Sequence, residues 1–398
     1  MSKFNYDEDT WDVIKTYFKN NRELVKHHLD SYDDFIDNKI EKIVQQFNPL
    51  SIYNNYNEEE NNYKYEIKME FGKTYFKNPM IYENNGSTKI MFPQEARLRN
   101  LSYSMTLLID IEITIIENPF DENTKNIVSK KMLKKINIGK IPLMIRSKYC
   151  MLNNTTDLND ECCYDLGGYF IVNGNEKVIV GQEKIAENKV YVFKTNKNNT
   201  KYSYFAEVKS TSKKGFNSPK NCSVKFTLND KYNNNYFKVS IPHCKVDIPL
   251  FILFRAFGII SDKDIVECIV YDIKDNSEFV NLLKPSIEEA KEIMTQNDAI
   301  EYILKFSMIL GQPKDIKISR ERKIVLFKEM IMRDVLSHMG GNLKKKALYL
   351  GYMTKKLMMC YFKKIDIDDR DSYCNKRVET SGYLMGVAFR QYFTKLIK

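Results

Sequence analysis

Residues 161–187 read ECCYDLGGYFIVNGNEKVIVGQEKIAE, and the rest of the chain is ordered around them. Residues 169–172 are a short apolar run, Asn173-Gly174 is a turn pair, and residues 177–180 are a second β-branched run, so the stretch predicts a β-hairpin. Both turn residues suit the positive φ of a tight connection, Gly because it lacks a Cβ and Asn because it enters the left-handed region at small cost. Gly167-Gly168 allow a bend, or a close approach of backbone or ligand. They lack the spacing and the following Lys-Ser/Thr of a triphosphate cradle. Taken alone, the residues describe a buried hairpin of an α/β domain and state no function.

At 398 residues the chain can form two domains, each with its own core. Hydrophobic residues at 43% and charged residues at 29% give an ordinary globular balance. A mean hydropathy of −0.46, with no long uncharged apolar run, argues against a membrane span. The most apolar stretch, 248–260, is short and carries Arg255. The N-terminus is acidic and lacks a signal peptide's apolar region, so a soluble, intracellular protein is expected. The cysteines at 150, 162, 163, 222, 244, 268, 360 and 374 form no Cys-x-x-Cys pair and no zinc spacing with histidine, which predicts free, mostly buried thiols. The net charge of +10 permits a polyanionic partner, but the abundance of Asn, Lys, Ile and Tyr that an AT-rich genome produces makes it weak evidence.

Along the chain, a helix is expected at 9–20, with Trp11, Ile14, Tyr17 and Phe18 near one face, and another at 32–47 capped by Ser31. Phe35, Ile36, Ile40, Ile43, Val44 and Phe47 form the apolar stripe of the second. Residues 51–62 read as a polar linker. Residues 63–71 then alternate between apolar and charged, as does 105–116, which puts Asp110, Glu112 and Thr114 on one side of a strand. Arg97 and Arg99 share strand parity just before it and could reach phosphate together, although Glu95 offers a salt bridge instead. Residues 118–131 read as a polar connection and 132–145 as returning strands. Residues 194–235, with 223–228 and 237–241, predict a small antiparallel sheet. Its Tyr202, Tyr204, Phe205 and Phe216, interleaved with Lys209, Lys213 and Lys214, serve either as sheet core or as a stacking surface for single strands. Residues 248–265 read as helix, turn, helix, with Gly258 ending the first and Ser261 and Asp264 capping the second. The second helix is too apolar to read a DNA groove. Helices follow at 287–308 and 324–339, then the basic turn Lys344–Lys346 before a helix at 347–362.

Several strings, in order, resemble the second-largest (β-type) subunit of multisubunit DNA-directed RNA polymerases, of the eukaryotic, archaeal or large-DNA-virus type. They are residues 28–36, 93–103, 141–147, 165–180, 248–265 and 366–382, with Cys163 standing where proline is expected. The resemblance spans roughly His28 to Arg390 and identifies the N-terminal portion of that subunit. It implies an α+β architecture: a mixed antiparallel-sheet and helix protrusion domain over 1–193, an inserted α/β lobe domain over 194–376, and a return into the protrusion over 377–398. The final residues fall inside a helix, so a split gene, a fragment, or a piece before an intervening element is expected. An AT-rich protist or a large DNA virus is the expected source, with a nuclear location or, for a virus, a virion or cytoplasmic factory.

By resemblance, Lys177 and Gln182 lie on a strand near the nascent RNA. Arg97, Arg99, Arg146, Lys376 and Arg377 are further candidates for contacts with DNA or other subunits. Asp366, Asp368, Asp369 and Asp371 invite a magnesium reading, but Arg370 lies among them and Lys363, Lys364, Lys376 and Arg377 flank them, so a self-neutralising network is expected. The resemblance places the catalytic Mg2+ in other parts of the assembled enzyme and no catalytic residue or metal site here. It implies as partners the largest subunit, the remainder of the β-type subunit, the DNA template and the RNA–DNA hybrid, and no membrane. A free-standing nucleic-acid-binding protein and a polymerase-assembly protein are the alternatives.

Overall fold

The computed structural model describes residues 6–19, 21–57, 62–119, 126–154, 161–162, 164–195, 201–212, 216–227, 235–273, 277–307 and 320–397. Cys163, Lys213 and Lys214 lie outside them. The fold is α+β with antiparallel sheets, divided into two compact units: Met1–Lys184 with Val378–Lys398, and Ile185–Arg377.

The alternating stretches of the first unit become a four-stranded sheet in the order Leu50–Asn57, Asn62–Lys77, Ser104–Glu117, Asn126–Pro142. The first of these covers most of the expected linker. Antiparallel pairing with 62–69 gives its polar backbone a partner, and that outweighs its composition. In Ser104–Glu117, Met105, Leu107 and Ile109 are buried, and burial resumes at Ile116. Register shifts opposite 71–74 and at 109–111 place an extra residue in each neighbouring strand, with Asp110 alone opposite them. Asp110 sits at this irregularity, accepting the Tyr75 hydroxyl at 3.0 Å and the Lys135 N–H at 2.7 Å.

Against the sheet pack Lys26–Asp34, a π turn at Phe35–Lys39, and Ile40–Gln45. Tyr32, Phe35, Ile36, Ile40, Ile43 and Val44 are buried, which matches the expected stripe. Ser31 lies inside this run and does not cap it. Its Oγ accepts the Gly382 N–H at 3.0 Å and shares a 2.5 Å hydrogen bond with Thr380 Oγ1, a tertiary role that overrides its capping preference. At Gly382 the last helix, Ser381–Ile397, comes so close that a Cβ would lie 1.8 Å from the Ser31 carbonyl oxygen. Phe389 and Phe393 of that helix meet Phe35, Phe47 and Phe71. The first helix, Tyr6–Phe18, leaves its expected apolar face, Trp11, Ile14, Tyr17 and Phe18, exposed.

The second unit carries a five-stranded sheet: Tyr191–Lys194, Tyr202–Ser210, Lys220–Thr227, Phe237–Ser240, Ile248–Pro249. Tyr191–Lys194 belongs to this sheet, whereas the sequence reading placed 191–193 in the first domain. Tyr204 packs on the core beside Tyr361, the Tyr202 hydroxyl donates to Asp247, and Phe205 meets Phe193. Tyr202, Tyr204 and Phe205 therefore hold the sheet together. Leu250–Ala256 is buried at every residue, since it inserts between the sheet and the remaining helices. Burial of that kind stabilises by roughly 2 kcal/mol for each large apolar side chain. Ser261 stands at the N-cap of Asp262–Val270 without a side-chain capping bond. In place of one helix over 287–308 there are two, Ser277–Glu289 and Gln296–Leu304, because Thr295 accepts the Asp298 N–H at 3.2 Å and starts a new helix. Likewise Arg320–Asp334 stops short of 339, as Leu336 adopts a left-handed conformation. The expected basic turn is helical: Asn342 caps Leu343–Tyr361, and Lys346 is buried in its first turn.

Candidate nucleic-acid interface

The hairpin pairs Phe170–Val172 with Asn175–Lys177 in the register Phe170↔Lys177, Ile171↔Glu176 and Val172↔Asn175. Asn173 and Gly174 have φ of 51° and 76°, as a tight turn of this length demands. Residues 101–103 hold it from one side: Gly174 N–H donates to the Leu101 carbonyl (3.0 Å) and Tyr103 N–H to the Ile171 carbonyl (2.9 Å). Ser102 Oγ donates to Asn173 Oδ1 and accepts the Asn173 N–H, both at 3.0 Å. On the other side Ile145 N–H donates to the Tyr169 carbonyl at 2.9 Å. Gly167 is needed because backbone passes close by: a Cβ there would lie 2.4 Å from the Ile145 carbonyl oxygen. Of the readings open for that glycine, backbone approach is the one observed. The second β-branched run does not continue the hairpin. Its strand stops at Lys177, and Val178 and Val180 are 60% and 71% exposed.

Arg97 and Arg99 do not share a strand face. Pro93–Leu98 is a helix with proline in its first turn, where the fixed φ suits helix entry and the missing N–H costs nothing, and Arg99 is its C-cap residue. Arg97 reaches into the base of the hairpin. Its Nη1 donates to both oxygens of the buried Glu161 at 2.9 Å, its Nε to Glu176 at 2.7 Å, and its Nη2 to the Tyr169 hydroxyl at 2.7 Å. The Tyr169 hydroxyl donates onward to Asp165 at 2.5 Å. Arg99 donates to Glu83 at 2.6 Å and Glu95 at 3.1 Å, and Lys89 bridges to Glu95 at 2.5 Å. The Arg99 and Lys89 hydrogen bonds hold the Glu83 and Glu95 carboxyls below their usual range, so this cluster carries little net charge.

Lys177, by contrast, is exposed and forms no ion pair. It projects a free ammonium from a scaffold fixed by Arg97, Ser102 and Asn173. Gln182 opens the strand Gln182–Ile185, exposed, with its amide 3.4 Å from the Val180 carbonyl oxygen. Arg146 is half-buried at φ 63°, with Nη2 3.4 Å from the Cys162 carbonyl oxygen and a buried Nε without a partner. Lys177, Gln182, Arg97, Arg99 and Arg146 all belong to the first unit, and Lys376 and Arg377 to the second. Lys376 lies 3.9 Å from Asp371, and the exposed Arg377 donates to the Lys376 and Cys374 carbonyls. Sequence reasoning missed the role of Arg97 as a clamp, because its carboxylate partners lie 64 and 79 positions away. The exposure of Val178 and Val180 left no sign in their letters.

The acidic run is engaged by neighbours within its own unit. Asp368 accepts Lys356 Nζ at 2.7 Å and the Val192 N–H at 2.8 Å. Arg370 pairs with Glu207 at 3.2 Å and covers the Phe193 ring. Asp368, engaged in this way, is not free to ligate a cation, and among the described residues no group of three or more His, Cys, Asp or Glu is arranged to hold a metal ion. Of the seven described cysteines, all free, Cys162 and Cys374 are exposed, so the thiols are less uniformly buried than expected. No helix among the described residues is long and apolar enough to cross a membrane.

A family model described as RNA polymerase beta subunit matches residues 23–398. The chain is 37% identical over 406 residues to DNA-directed RNA polymerase II subunit 2 of Arabidopsis thaliana, covering 98% of this chain and 33% of that one. It is 36% identical over 397 residues to subunit RPB2 of Encephalitozoon cuniculi, with 98% and 33% covered. To DNA-directed RNA polymerase subunit Rpo2N of Methanococcus vannielii it is 36% identical over 397 residues, covering 97% of this chain and 72% of that protein. The chain thus spans about a third of the length of the first two relatives.

Proposed function

Since the chain belongs to the RNA polymerase β-subunit family as an N-terminal portion of the β-type, second-largest subunit, we propose that it lines the nucleic-acid path of a DNA-directed RNA polymerase without performing the chemistry. In this reading the first unit is the protrusion and the second the lobe. The single observation that carries it is the hairpin, which presents the free ammonium of Lys177 on a hydrogen-bonded base within a string that resembles the family's. A point charge held there attracts phosphate oxygens without reading base sequence, which is what an enzyme that transcribes any template requires. Gln182 adds a neutral donor beside it. Arg97, Arg99 and Arg146 support the scaffold, and Lys376 and Arg377 contribute to contacts of the second unit. The catalytic Mg2+ and the nucleotidyl-transfer groups are supplied by the largest subunit and by the remainder of the β-type subunit. The assembly works on the DNA template and RNA–DNA hybrid in an intracellular, nuclear setting.

The test is a tagged pull-down from the native cell, followed by intact-mass analysis and a magnesium-dependent transcription assay. Recovery with a largest subunit and transcription activity is the expected outcome. A chain that comes down alone and inactive overturns the reading. In the recovered enzyme, Lys177→Glu shortens the elongation-complex lifetime and makes it less steeply dependent on salt, while an unchanged lifetime and salt dependence remove Lys177 from the path.

A further inference from the structure

The last helix, Ser381–Ile397, has two apolar faces. One, through Phe389 and Phe393, packs on Phe35, Phe47 and Phe71. The other places Met385, Ala388, Tyr392 and Leu396 at successive spacings of three and four, which stacks them along the helix. With Ile138 and Ile141 of the strand Asn126–Pro142 opposite, this face walls a groove of about 560 Å³ within the first unit. Tyr392 and Leu396 are 69% and 59% exposed, so the groove opens to solvent along the helix. In the lining, a Cβ added to the exposed Gly139 would meet nothing within 4 Å. Lys140 is the one charged residue in the lining, and no cluster of polar groups converges there to orient a small polar ligand.

We propose that this groove seats an apolar segment of the polypeptide that follows the present portion in β-type subunits, whether that polypeptide is joined to this chain or separate. The inference rests on the polymerase reading. The relatives from Arabidopsis and Encephalitozoon carry about two-thirds of their length outside the matched region. This portion is N-terminal in that subunit, so the unmatched length follows it. The groove's composition suits that occupant: aliphatic and aromatic side chains at helical spacing accept a complementary apolar helix or strand, and little here would bind phosphate or a charged peptide.

A photoreactive benzoylphenylalanine in place of Tyr392, within the polymerase purified from cells, reads the occupant directly. The expected crosslinked peptide comes from the β-type polypeptide beyond the matched portion, identified by mass spectrometry. A crosslink to another subunit, to a second copy of this chain, to nucleic acid or to a small apolar molecule overturns the proposal, as does no crosslink in an assembled enzyme. Gly139→Trp adds bulk to the lining, and Leu396→Asp charges the exposed wall with little risk to the fold. Each is expected to lower recovery of the β-type remainder by about tenfold or more, the scale of a central interface residue. Full recovery with Leu396→Asp overturns the proposal. Should unmodified chain enter no polymerase at all, the functional reading fails first, a result distinct from assembly with a misplaced crosslink.

Discussion

Lys177 and Lys346 carry the same side chain in opposite circumstances. Lys177 ends a short strand, exposed and unpaired, on a hairpin whose every neighbour is fixed. Lys346 is fully buried in the second unit, where Nζ donates to the carbonyls of Ile331 at 2.8 Å, Met332 at 2.6 Å and Val335 at 2.5 Å. Those carbonyls end the helix Arg320–Asp334, whose partial negative charge favours a cation. Burial nevertheless pushes the Lys346 ammonium down to about 8, with nearby Asp334 opposing the shift. One lysine is free to act on a partner, and the other closes a helix end. Charge in a sequence therefore says little until its partners are known.

The largest test of that contrast is Lys346→Ala. It leaves three buried carbonyls unsatisfied and opens a cavity, and should destabilise the second unit by on the order of 4 kcal/mol in denaturant unfolding. A loss below 1 kcal/mol would mean that water or repacking replaces the ammonium. Arg97→Met comes next. It strands the buried carboxylate of Glu161 beneath the hairpin and should cost about 3 kcal/mol, with faster hydrogen exchange at residues 170–177. A smaller effect follows from Gly174→Ala, since a side chain at φ 76° is strained and its Cβ would lie 2.5 Å from Asn100 Oδ1. The expected loss is about 1–2 kcal/mol. The effect of pH on Lys346 has a definite sign. Its folded pKa lies below the unfolded value, so between about 8 and 10.5 the unfolded chain holds a proton that the folded chain releases. Stability attributable to this group rises with pH across that window, and below it the cost of burying the charge is carried in full. The difference between wild type and Lys346→Met, measured from pH 7 to 10.5, should show that rise. A flat difference would assign the ammonium an ordinary pKa. Last and smallest in stability, Lys177→Ala should change unfolding by less than about 0.5 kcal/mol. A larger loss would show that Lys177 supports the fold.

The parts of the fold that rest on local pattern were legible in the letters. The Asn173-Gly174 turn, the strand through 63–71, the apolar stripe 35–44 and the packing character of 262–270 follow from periods of two and 3.6 residues. What stayed hidden depends on distant partners. Ser31 reads as a cap until Gly382 and Thr380 arrive beside it. Residues 51–57 read as a linker until a neighbouring strand takes their backbone. Arg97 and Arg99 read either as phosphate ligands by parity or as partners of Glu95; proline at 93 starts a helix, Arg99 takes the nearby Glu95 together with Glu83, and only the partners of Arg97, Glu161 and Glu176, come from far along the chain. The second run, 177–180, is as β-branched as any core strand, yet two of its valines face solvent, and no local rule distinguishes them from buried ones. The hairpin's position was therefore readable, and its free surface was not.

The contact between Ser31 and Thr380 joins positions 349 residues apart. On the ribosome, residues emerge at about 5–20 per second, so the first helices wait on the order of 20–70 s for the helix that completes their core. Throughout that interval Phe35, Phe47 and Phe71 lack Phe389 and Phe393, while the whole second unit is synthesised in between. Apolar surface left open for that long is what makes a nascent chain prone to aggregate. A ribosome that stops anywhere before residue 381 releases a first unit with an open aromatic face, a species bound for aggregation or proteolysis.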